Sequence, residues 1–193
     1  MNFNRIWAMP NSETFDIQPI GELVKRYLRQ STVSIDPFAR DKRWATHTND
    51  LNQNTAAEYH LDACEFLQLL LAHNTKADLV LFDPPYSPRQ IKECYDGIGK
   101  KMETLDAFRT HWKPERDAIH ELLEIGGLVV SLGWNSIGMG KGRGYQIEEI
   151  LLVCHGPGHN DTICIVERKM SYQHPLFSIA KQPLDILAEQ GVQ

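Results

Sequence analysis

A tetrapeptide at the end of a predicted strand carries the residues best suited to chemistry. Residues 78–82, Asp-Leu-Val-Leu-Phe, are mostly apolar strand formers and predict a buried strand of a parallel sheet. The strand ends at Asp83-Pro84-Pro85-Tyr86, where two prolines without N–H groups force the chain out of the sheet in one stiff geometry. A carboxylate and a rigidly held carbonyl there can accept hydrogen bonds, and the tyrosine ring offers a flat stacking face. Open α/β sheets bind ligands at the carboxyl ends of their strands.

Three more aspartates follow predicted strands in the same way. Short strands are predicted over residues 32–35, 45–48 and 58–61, and acids stand just after them at Asp36, Asp50 and Asp62. Because parallel strands end at a common edge, we expect these carboxylates and Asp83 to surround one crevice. Each acid also has a plainer interpretation, since an aspartate after a strand commonly caps the next helix.

The stretch Asp83-Pro84-Pro85-Tyr86 resembles the D-P-P-Y motif of S-adenosylmethionine-dependent methyltransferases that modify exocyclic amino groups of nucleobases. The resemblance implies that Asp83 and the Pro84 carbonyl each accept one N–H of the amine and turn its lone pair toward a sulfonium methyl. Tyr86 would stack on an extruded base. Tyrosine after Pro-Pro is the usual form for adenine, so the implied substrate is adenine in DNA. An RNA base on the same fold is the alternative substrate, and a structural turn capped by Asp83 is the plainer interpretation.

The resemblance covers about residues 15–169 and implies S-adenosylmethionine as the cofactor. The stretch Asp36-Pro-Phe-Ala is similar to the first cofactor motif, with Asp36 near the methionine end. The resemblance matches Asp50 to the acid that holds the ribose and Asp62 to the acid that faces the adenine amine. Residues 15–20 resemble the arm over the methionine part. The implied cofactor-binding residues are therefore Phe15, Gln18, Pro19, Asp36, Phe38, Asp50, Asp62 and Asp83.

One stretch departs from the family pattern. The family usually has Gly-x-Gly after Asp-Pro-Phe-Ala, which lets the backbone approach the cofactor closely, but this chain has Arg40-Asp41-Lys42. A side chain there implies that the loop takes another route or that cofactor binding is weakened. This departure motivates a third hypothesis, in which the chain is a non-catalytic binding module or partner subunit.

Candidate substrate contacts come from two loops. Trp134 and Asn135 follow a predicted strand over 128–132, and an aromatic there can stack on a base. The glycine-rich loop 133–144 carries Lys141 and Arg143, which can contact a nucleic-acid phosphate, although a solvated turn explains them equally. Ser87 follows the tetrapeptide and is a further candidate for the base pocket. The simpler interpretation of Trp134 is a core tryptophan, and that of Ser87 is part of a charged helix face.

The elements that position these residues alternate between strand and helix. Helical spacing is clear over 21–28 and 63–72, is predicted over 105–124 with a break before Pro114, and is limited to a turn over 89–95. Strands over 147–154 and 162–166 predict a terminal hairpin. Periodicity therefore indicates an α/β protein with a mostly parallel sheet. The resemblance implies a Rossmann-like methyltransferase fold with seven strands and a C-terminal antiparallel hairpin. We expect a single domain over 1–193, with an irregular arm over 1–13 and a polar tail over 170–193 that has a short helix near 184–190.

Composition excludes several classes of protein. The formal net charge of −5 argues against extensive contact with duplex DNA, so we expect local contact with nucleic acid. Four scattered cysteines without a C-x-x-C pair argue against a zinc ribbon and favour the cytoplasm. We expect no metal, because His155 and His159 lack a ligand quartet and instead suggest a turn. No apolar run reaches membrane-span length, so we also expect no membrane partner. The small size suits a phage or mobile-element enzyme by analogy. The oligomeric state stays open.

Overall fold

Seven strands form one sheet in the computed structural model, which describes residues 1–99 and 112–171, except for the side chain of Lys141. The order of the strands across the sheet is β1-β6-β7-β5-β4-β2-β3. The strands span Asn2–Trp7 (β1), Ser34–Asp36 (β2), His47–Thr48 (β3), Ala77–Phe82 (β4), Leu123–Gly133 (β5), Tyr145–Cys154 (β6) and Thr162–Lys169 (β7).

Strand directions confirm the predicted fold class. Strand β7 runs antiparallel to both β5 and β6, and all other neighbouring pairs are parallel. The sheet is therefore mostly parallel and ends in the expected antiparallel hairpin. The carboxyl ends of β1, β2, β3, β4, β5 and β6 consequently lie at the same edge, which we call the carboxyl edge.

Helices cover both faces of the sheet because successive residues of β4 point to opposite faces and are apolar on both. Leu79 and Leu81 pack with the helix α1 (Gln18–Leu28) in one core cluster. Val80 and Phe82 point to the other face and pack with α2 (Ala63–Ala72) and α4 (Lys113–Leu122) in a second cluster. A strand that is apolar on both faces has to be covered twice, which is why a continuous apolar run predicted a buried parallel strand.

Local capping explains where the helices begin. Asp62 accepts a hydrogen bond from the Cys64 N–H at 3.0 Å and starts α2, as an N-cap does. Ser87 accepts from the Gln90 N–H at 3.3 Å and starts α3 (Pro88–Gly97), which is longer than the turn predicted over 89–95. Helix α4 begins at Lys113, within the range predicted over 105–124, and Trp112 before it has a left-handed backbone with a φ of 44°. Residues 100–111 lie outside the described part of the chain.

The largest differences from the sequence-based predictions concern three strands. Residues 1–13 were predicted to be irregular, but Asn2–Trp7 pairs in parallel with β6 along its whole length. All six residues are exposed, so no alternation of burial marks them as a strand. The strand predicted over 58–61 is reduced to one β-bridge between Asn49 and Tyr59. The backbone of Leu61 hydrogen-bonds the Asn49 side chain instead of a neighbouring strand. Strand β5 starts at Leu123, directly after α4, rather than at 128.

The predicted tail helix over 184–190 lies outside the described residues. Among the helices that the structure describes, none combines the length and the apolar composition that a membrane span requires.

Gly21 allows the turn that contains Phe15 to lie against α1. A Cβ at this position would stand 2.4 Å from the backbone oxygen of Phe15, which cannot move aside as a flexible side chain can. We expect Gly21→Ala to lower the free energy of unfolding by about 1–3 kcal/mol, because overpacking outweighs the gain in helix propensity. Urea denaturation measures the change.

The matched control is Gly97→Ala at the end of α3, where a Cβ would meet nothing within 4 Å. We expect this variant to be as stable as the wild type or slightly more stable. Equal effects of the two substitutions would contradict the close approach of Phe15 to α1.

Candidate functional site

Three of the four predicted acids meet at the carboxyl edge. Asp36 is the last residue of β2, Asp50 follows β3, and Asp83 follows β4. Strand β2 pairs with both β3 and β4, so these three chain ends are neighbours. The charges of Asp83 and Asp50 both raise the pKa of Asp36. The carboxylates therefore share one region, as the strand-end pattern predicted.

Asn49 connects the loops that carry the acids. Its backbone N–H donates to the Asp36 carbonyl at 2.9 Å, and its carbonyl accepts from the Ala39 N–H at 2.8 Å. Its side-chain amide donates to the carbonyls of Pro37 and Leu61 and accepts from the Leu61 N–H. A fully buried amide with these partners fixes the spacing between the loops.

Asp83 has two polar neighbours, Tyr86 and Thr14. The Tyr86 hydroxyl donates a short hydrogen bond to the Asp83 carboxylate from within the tetrapeptide. The side chain of Thr14, in the 3-10 turn Thr14–Asp16, lies near enough to Asp83 to lower its pKa. Desolvation raises the pKa of Asp83, and Tyr86 and Thr14 oppose that effect. The residue remains partly accessible.

The ring of Tyr86 is positioned by its neighbours along the edge. Its N–H donates to the Gln90 side chain at 2.7 Å, which attaches the tetrapeptide to α3. Trp134 lies edge-on to the ring, with centroids 5.6 Å apart. The Trp112 indole donates to the Pro85 carbonyl at 3.3 Å and attaches the tetrapeptide to the start of α4. The structure therefore brings Trp134 to Asp83-Pro84-Pro85-Tyr86.

Asp36 is the most enclosed acid of the group. It is 1% exposed, and its carboxylate accepts one hydrogen bond from the Phe38 N–H at 3.0 Å. Burial raises its pKa to about 8, the Phe38 hydrogen bond opposes this, and the neighbouring acids reinforce it. A buried carboxyl among like charges gains most from a cationic ligand, which would favour its ionised form.

The other predicted cofactor acids have partners within the protein. Asp50 accepts from the backbone N–H groups of Arg40 at 3.1 Å and Asn52 at 2.8 Å. Asp62 caps α2, as an aspartate after a strand commonly does for the next helix. Each carboxylate has about four lone-pair sites, so neither arrangement prevents a further hydrogen bond to a ligand.

Arg40 explains how the chain replaces the glycines. Its backbone adopts a φ of 50°, the left-handed conformation in which a glycine would be unstrained. Its guanidinium leaves the loop and contacts the arm, 2.6 Å from the Ser12 carbonyl and 2.9 Å from the Glu13 carboxylate. The Arg40 side chain therefore lies against residues 12 and 13, and its effect on cofactor binding stays a prediction. The charge of Arg40 also lowers the pKa values of Asp50 and Asp83.

Replacing Arg40 separates backbone strain from the arm contact. We expect Arg40→Ala to be less stable than Arg40→Gly by about 1 kcal/mol, because only alanine retains the strain of the left-handed conformation. Both variants lose the ion pair, as does Glu13→Gln, which serves as the control for that contact alone. The free energy of unfolding in urea is the measurement. A glycine variant no more stable than the alanine variant would contradict a left-handed backbone at this position.

The remaining predicted cofactor residues lie beside the site with structural partners. Phe15 is buried and stacks on Trp44, with centroids 5.7 Å apart. Phe38 lies edge-on to Phe82 and Trp112 in the core. Gln18 and Pro19 form the first turn of α1, and the Gln18 amide donates to Glu22 at 2.9 Å.

The predicted substrate residues divide into two groups. Trp134 and Asn135 lie at the carboxyl edge, and the Asn135 side chain accepts from the Ile137 N–H at 3.0 Å. Ser87 follows Tyr86 at the same edge and caps α3. Arg143 lies two residues before β6, near the opposite edge, where it donates to Asp117 at 2.9 and 3.1 Å. The structure therefore does not bring Arg143 to Asp83, and the side chain of Lys141 lies outside the described part of the molecule.

The hairpin that contains His155 is held by local hydrogen bonds. The two ring nitrogens of His155 lie 2.8 Å from the Ala8 carbonyl and 2.9 Å from the Thr162 hydroxyl. Within residues 1–99 and 112–171, no three His, Cys, Asp or Glu side chains cluster as a metal site would require.

Sequence reasoning missed three residues of the site. Thr14, Asn49 and Trp112 each contact a loop that is distant in sequence. The only signal available was their position next to a predicted element, and that signal is shared by many residues without a role. Arg40 was noticed as a departure, but its contact with Glu13 could not be inferred from spacing.

Comparisons with known proteins find similar solved structures but no related sequence. No protein-family model and no curated protein matches the sequence. The structure resembles TrmN from Thermus thermophilus, with 15% identity, a TM-score of 0.50, and coverage of 78% of this chain and 48% of that one. It also resembles NSun6 from Pyrococcus horikoshii with SFG, with 15% identity, a TM-score of 0.48, and coverage of 76% of this chain and 50% of that one. A third similar structure is SMU.1697c from Streptococcus mutans in complex with SAH. It has 14% identity, a TM-score of 0.43, and coverage of 76% of this chain and 95% of that one.

The chain spans about half the length of the first two of these proteins. At 15% identity, the likeness to TrmN establishes a shared fold and nothing about substrate. The geometry and the comparison together show that the chain has a Rossmann-like methyltransferase fold.

Proposed function

We propose that the protein transfers a methyl group from S-adenosylmethionine to the exocyclic amino group of adenine in DNA. The observation that carries the proposal is the position of Asp83. It stands at the carboxyl end of β4, beside Asp36 and Asp50, with Tyr86 and Thr14 as polar neighbours. Cofactor acids and the acid of the tetrapeptide are thereby adjacent.

The residues present suit this cofactor. Asp36 is buried among acids, with a pKa raised to about 8, so a cationic sulfonium and ammonium would be stabilised beside it. The resemblance assigns the ribose hydroxyls to Asp50 and the adenine amine to Asp62, and a carboxylate has enough acceptor sites to bind a ligand while it keeps a protein partner. When bound, S-adenosylmethionine supplies a methyl group activated by positive charge. Asp36, Asp50, Asp62 and Phe38 would hold it, and Phe15, Gln18 and Pro19 would border it.

The tetrapeptide would orient the acceptor. Asp83 and the Pro84 carbonyl accept the two N–H groups of the amine, so its lone pair turns out of the conjugated ring system. An amine nitrogen that accepts the methyl group would have to give up one of its N–H protons. Asp83 is the base we assign for that proton, because desolvation keeps its pKa above the usual range for a carboxyl. Tyr86 and Trp134 supply aromatic faces for the extruded base, with Ser87 and Asn135 nearby.

The direct test measures transfer of a labelled methyl group. The protein is incubated with labelled cofactor and with DNA, ribosomal RNA and transfer RNA in competition. We expect label in DNA, on the adenine amino group. Preferential labelling of RNA would replace DNA by the RNA alternative. Calorimetry that detects no cofactor binding would instead support a non-catalytic module.

A further inference from the structure

Two exposed tryptophans stand on the same edge of the sheet. Of the four tryptophans in the chain, Trp112 is buried and Trp44 is stacked on Phe15. Trp7 is 62% exposed and is the last residue of β1, whereas Trp134 is 41% exposed and directly follows β5. Strands β1 and β5 run in the same direction, so both indoles lie at the carboxyl edge with Asp83. The proposed base pocket uses Trp134 but leaves Trp7 without a role.

A cavity of about 480 Å³ opens beside Trp7. Its apolar lining includes Trp7, Met9, Ile17 and Pro19, which come from the end of β1 and the start of α1, and polar groups supply nearly as much of its surface. The exposed carboxylates of Asp16 and Glu22 line it and can accept hydrogen bonds from an amino group. An indole beside polar acceptors suits a planar heterocycle such as a nucleobase.

One chain segment leads from the cavity to the proposed active site. Residues 8–13 leave β1, where the Ala8 N–H donates to the Cys154 carbonyl at 3.1 Å. The same segment reaches Ser12 and Glu13 at Arg40, and then Thr14 at Asp83. One short segment therefore borders both the cavity and the site of the proposed reaction.

We propose that the carboxyl edge from Trp134 to Trp7 binds a single-stranded nucleic acid, with a base that flanks the target stacked on Trp7. This inference rests on the proposed function and extends it to the form of the substrate. Strands β5 and β1 are separated by β7 and β6, so their ends lie roughly 14 Å apart at the usual spacing between strands. That span corresponds to about four stacked nucleotides.

The chemistry of this edge favours unpaired bases over a duplex. Stacking on an indole needs a free base face, which a paired base inside a helix does not offer. The net charge of −5 gives a polyanion no overall attraction, and Lys42 is already paired with Asp16 at 2.6 Å. Binding should therefore depend on stacking and show only a shallow dependence on salt concentration.

The test compares substitutions at two positions on one strand face. Fluorescence anisotropy measures the Kd for a labelled single-stranded adenine-containing DNA decamer and for a dinucleotide, with wild type, Trp7→Ala and Trp7→Phe. Phe3→Ala is the matched control, because Phe3 is 60% exposed on the same face of β1, four residues toward the other edge. We expect Trp7→Ala to weaken decamer binding about tenfold and to leave dinucleotide binding unchanged. Trp7→Phe should retain most of the affinity, and Phe3→Ala should match the wild type.

Each other result overturns the inference. A decamer Kd that is the same for Trp7→Ala and Phe3→Ala would remove Trp7 from the binding surface. Equal binding of a duplex by the wild type would remove the single strand as substrate. If sedimentation shows a dimer that either substitution dissociates, the exposed face of β1 is an interface between copies of the chain. Thermal unfolding confirms that the variants are folded.

The outcome is separable from that of the proposed function. Methyl transfer that does not depend on Trp7 would support the proposed function and contradict binding of a single strand along the carboxyl edge. Decamer binding that depends on Trp7, without any methyl transfer, would support binding along the carboxyl edge and contradict the proposed function.

Discussion

Asp83→Asn is expected to lower kcat about 10²–10³-fold while the Kd for S-adenosylmethionine changes little. Asparagine has nearly the same shape, but it replaces one acceptor oxygen by a donor NH₂ group and cannot take a proton. The amine would then meet a donor where it needs an acceptor, and its lone pair would no longer be held toward the methyl group. Single-turnover methyl transfer measures the loss, and calorimetry measures the Kd.

The control for this prediction is Asp96→Asn. Asp96 lies on the exposed side of α3 and pairs only with Lys92 one turn away, among the contacts that the structure describes. We expect the wild-type rate from it. If Asp83→Asn also kept the wild-type rate, Asp83 would have no part in the reaction and the assignment of the tetrapeptide would be lost.

Cofactor affinity is expected to rise with pH because Asp36 must lose a proton. In the free protein, burial holds the pKa of Asp36 at about 8, so below that pH its carboxyl is mostly neutral. A cationic ligand prefers the ionised form and therefore releases a proton on binding. We expect the Kd to fall by up to about tenfold per pH unit between pH 5.5 and 7, where the ligand's α-amino group remains charged. Calorimetry in two buffers of different ionisation enthalpy counts the released proton.

Asp36→Asn tests the origin of this dependence, since asparagine does not titrate. Its Kd should be higher than that of the wild type at pH 7 and should vary less with pH. Asp50 and Asp83 also have raised pKa values and face Asp36, so a smaller dependence should persist in the variant. A wild-type affinity that does not change with pH would show that the cofactor charge does not lie beside Asp36.

The pKa of Asp36 also has a consequence for folding. A folded-state pKa above the unfolded value means that the native state binds more protons, so stability decreases as pH rises from about 4 to about 8. Asp36→Asn should remove part of this decrease, because the neutral amide avoids the cost of a buried charge. A comparison of Tm at pH 5 and pH 8 measures both effects in the absence of cofactor.

Local sequence determined the parts of this protein that depend on neighbours in the chain. The apolar run before Asp83 made a buried strand, the two prolines ended it, and Asp36 and Asp50 followed their strands as expected. The α/β class and the terminal hairpin followed in the same way. These features were predictable because hydrophobic period, proline geometry and strand termination act over a few residues.

Tertiary structure alone decided which distant residues complete the site. Thr14 reaches Asp83, and Arg40 reaches Glu13, only because residues 8–13 cross the carboxyl edge after β1 pairs with β6. That pairing uses backbone hydrogen bonds of an exposed strand, and such bonds leave no pattern in the order of side chains. Arg143 shows the converse. Its position in a glycine-rich loop suggested a phosphate contact at the carboxyl edge, but the structure places it in an ion pair with Asp117 away from that edge. Pairings of this kind depend on the position of whole elements, which no local segment of the sequence encodes.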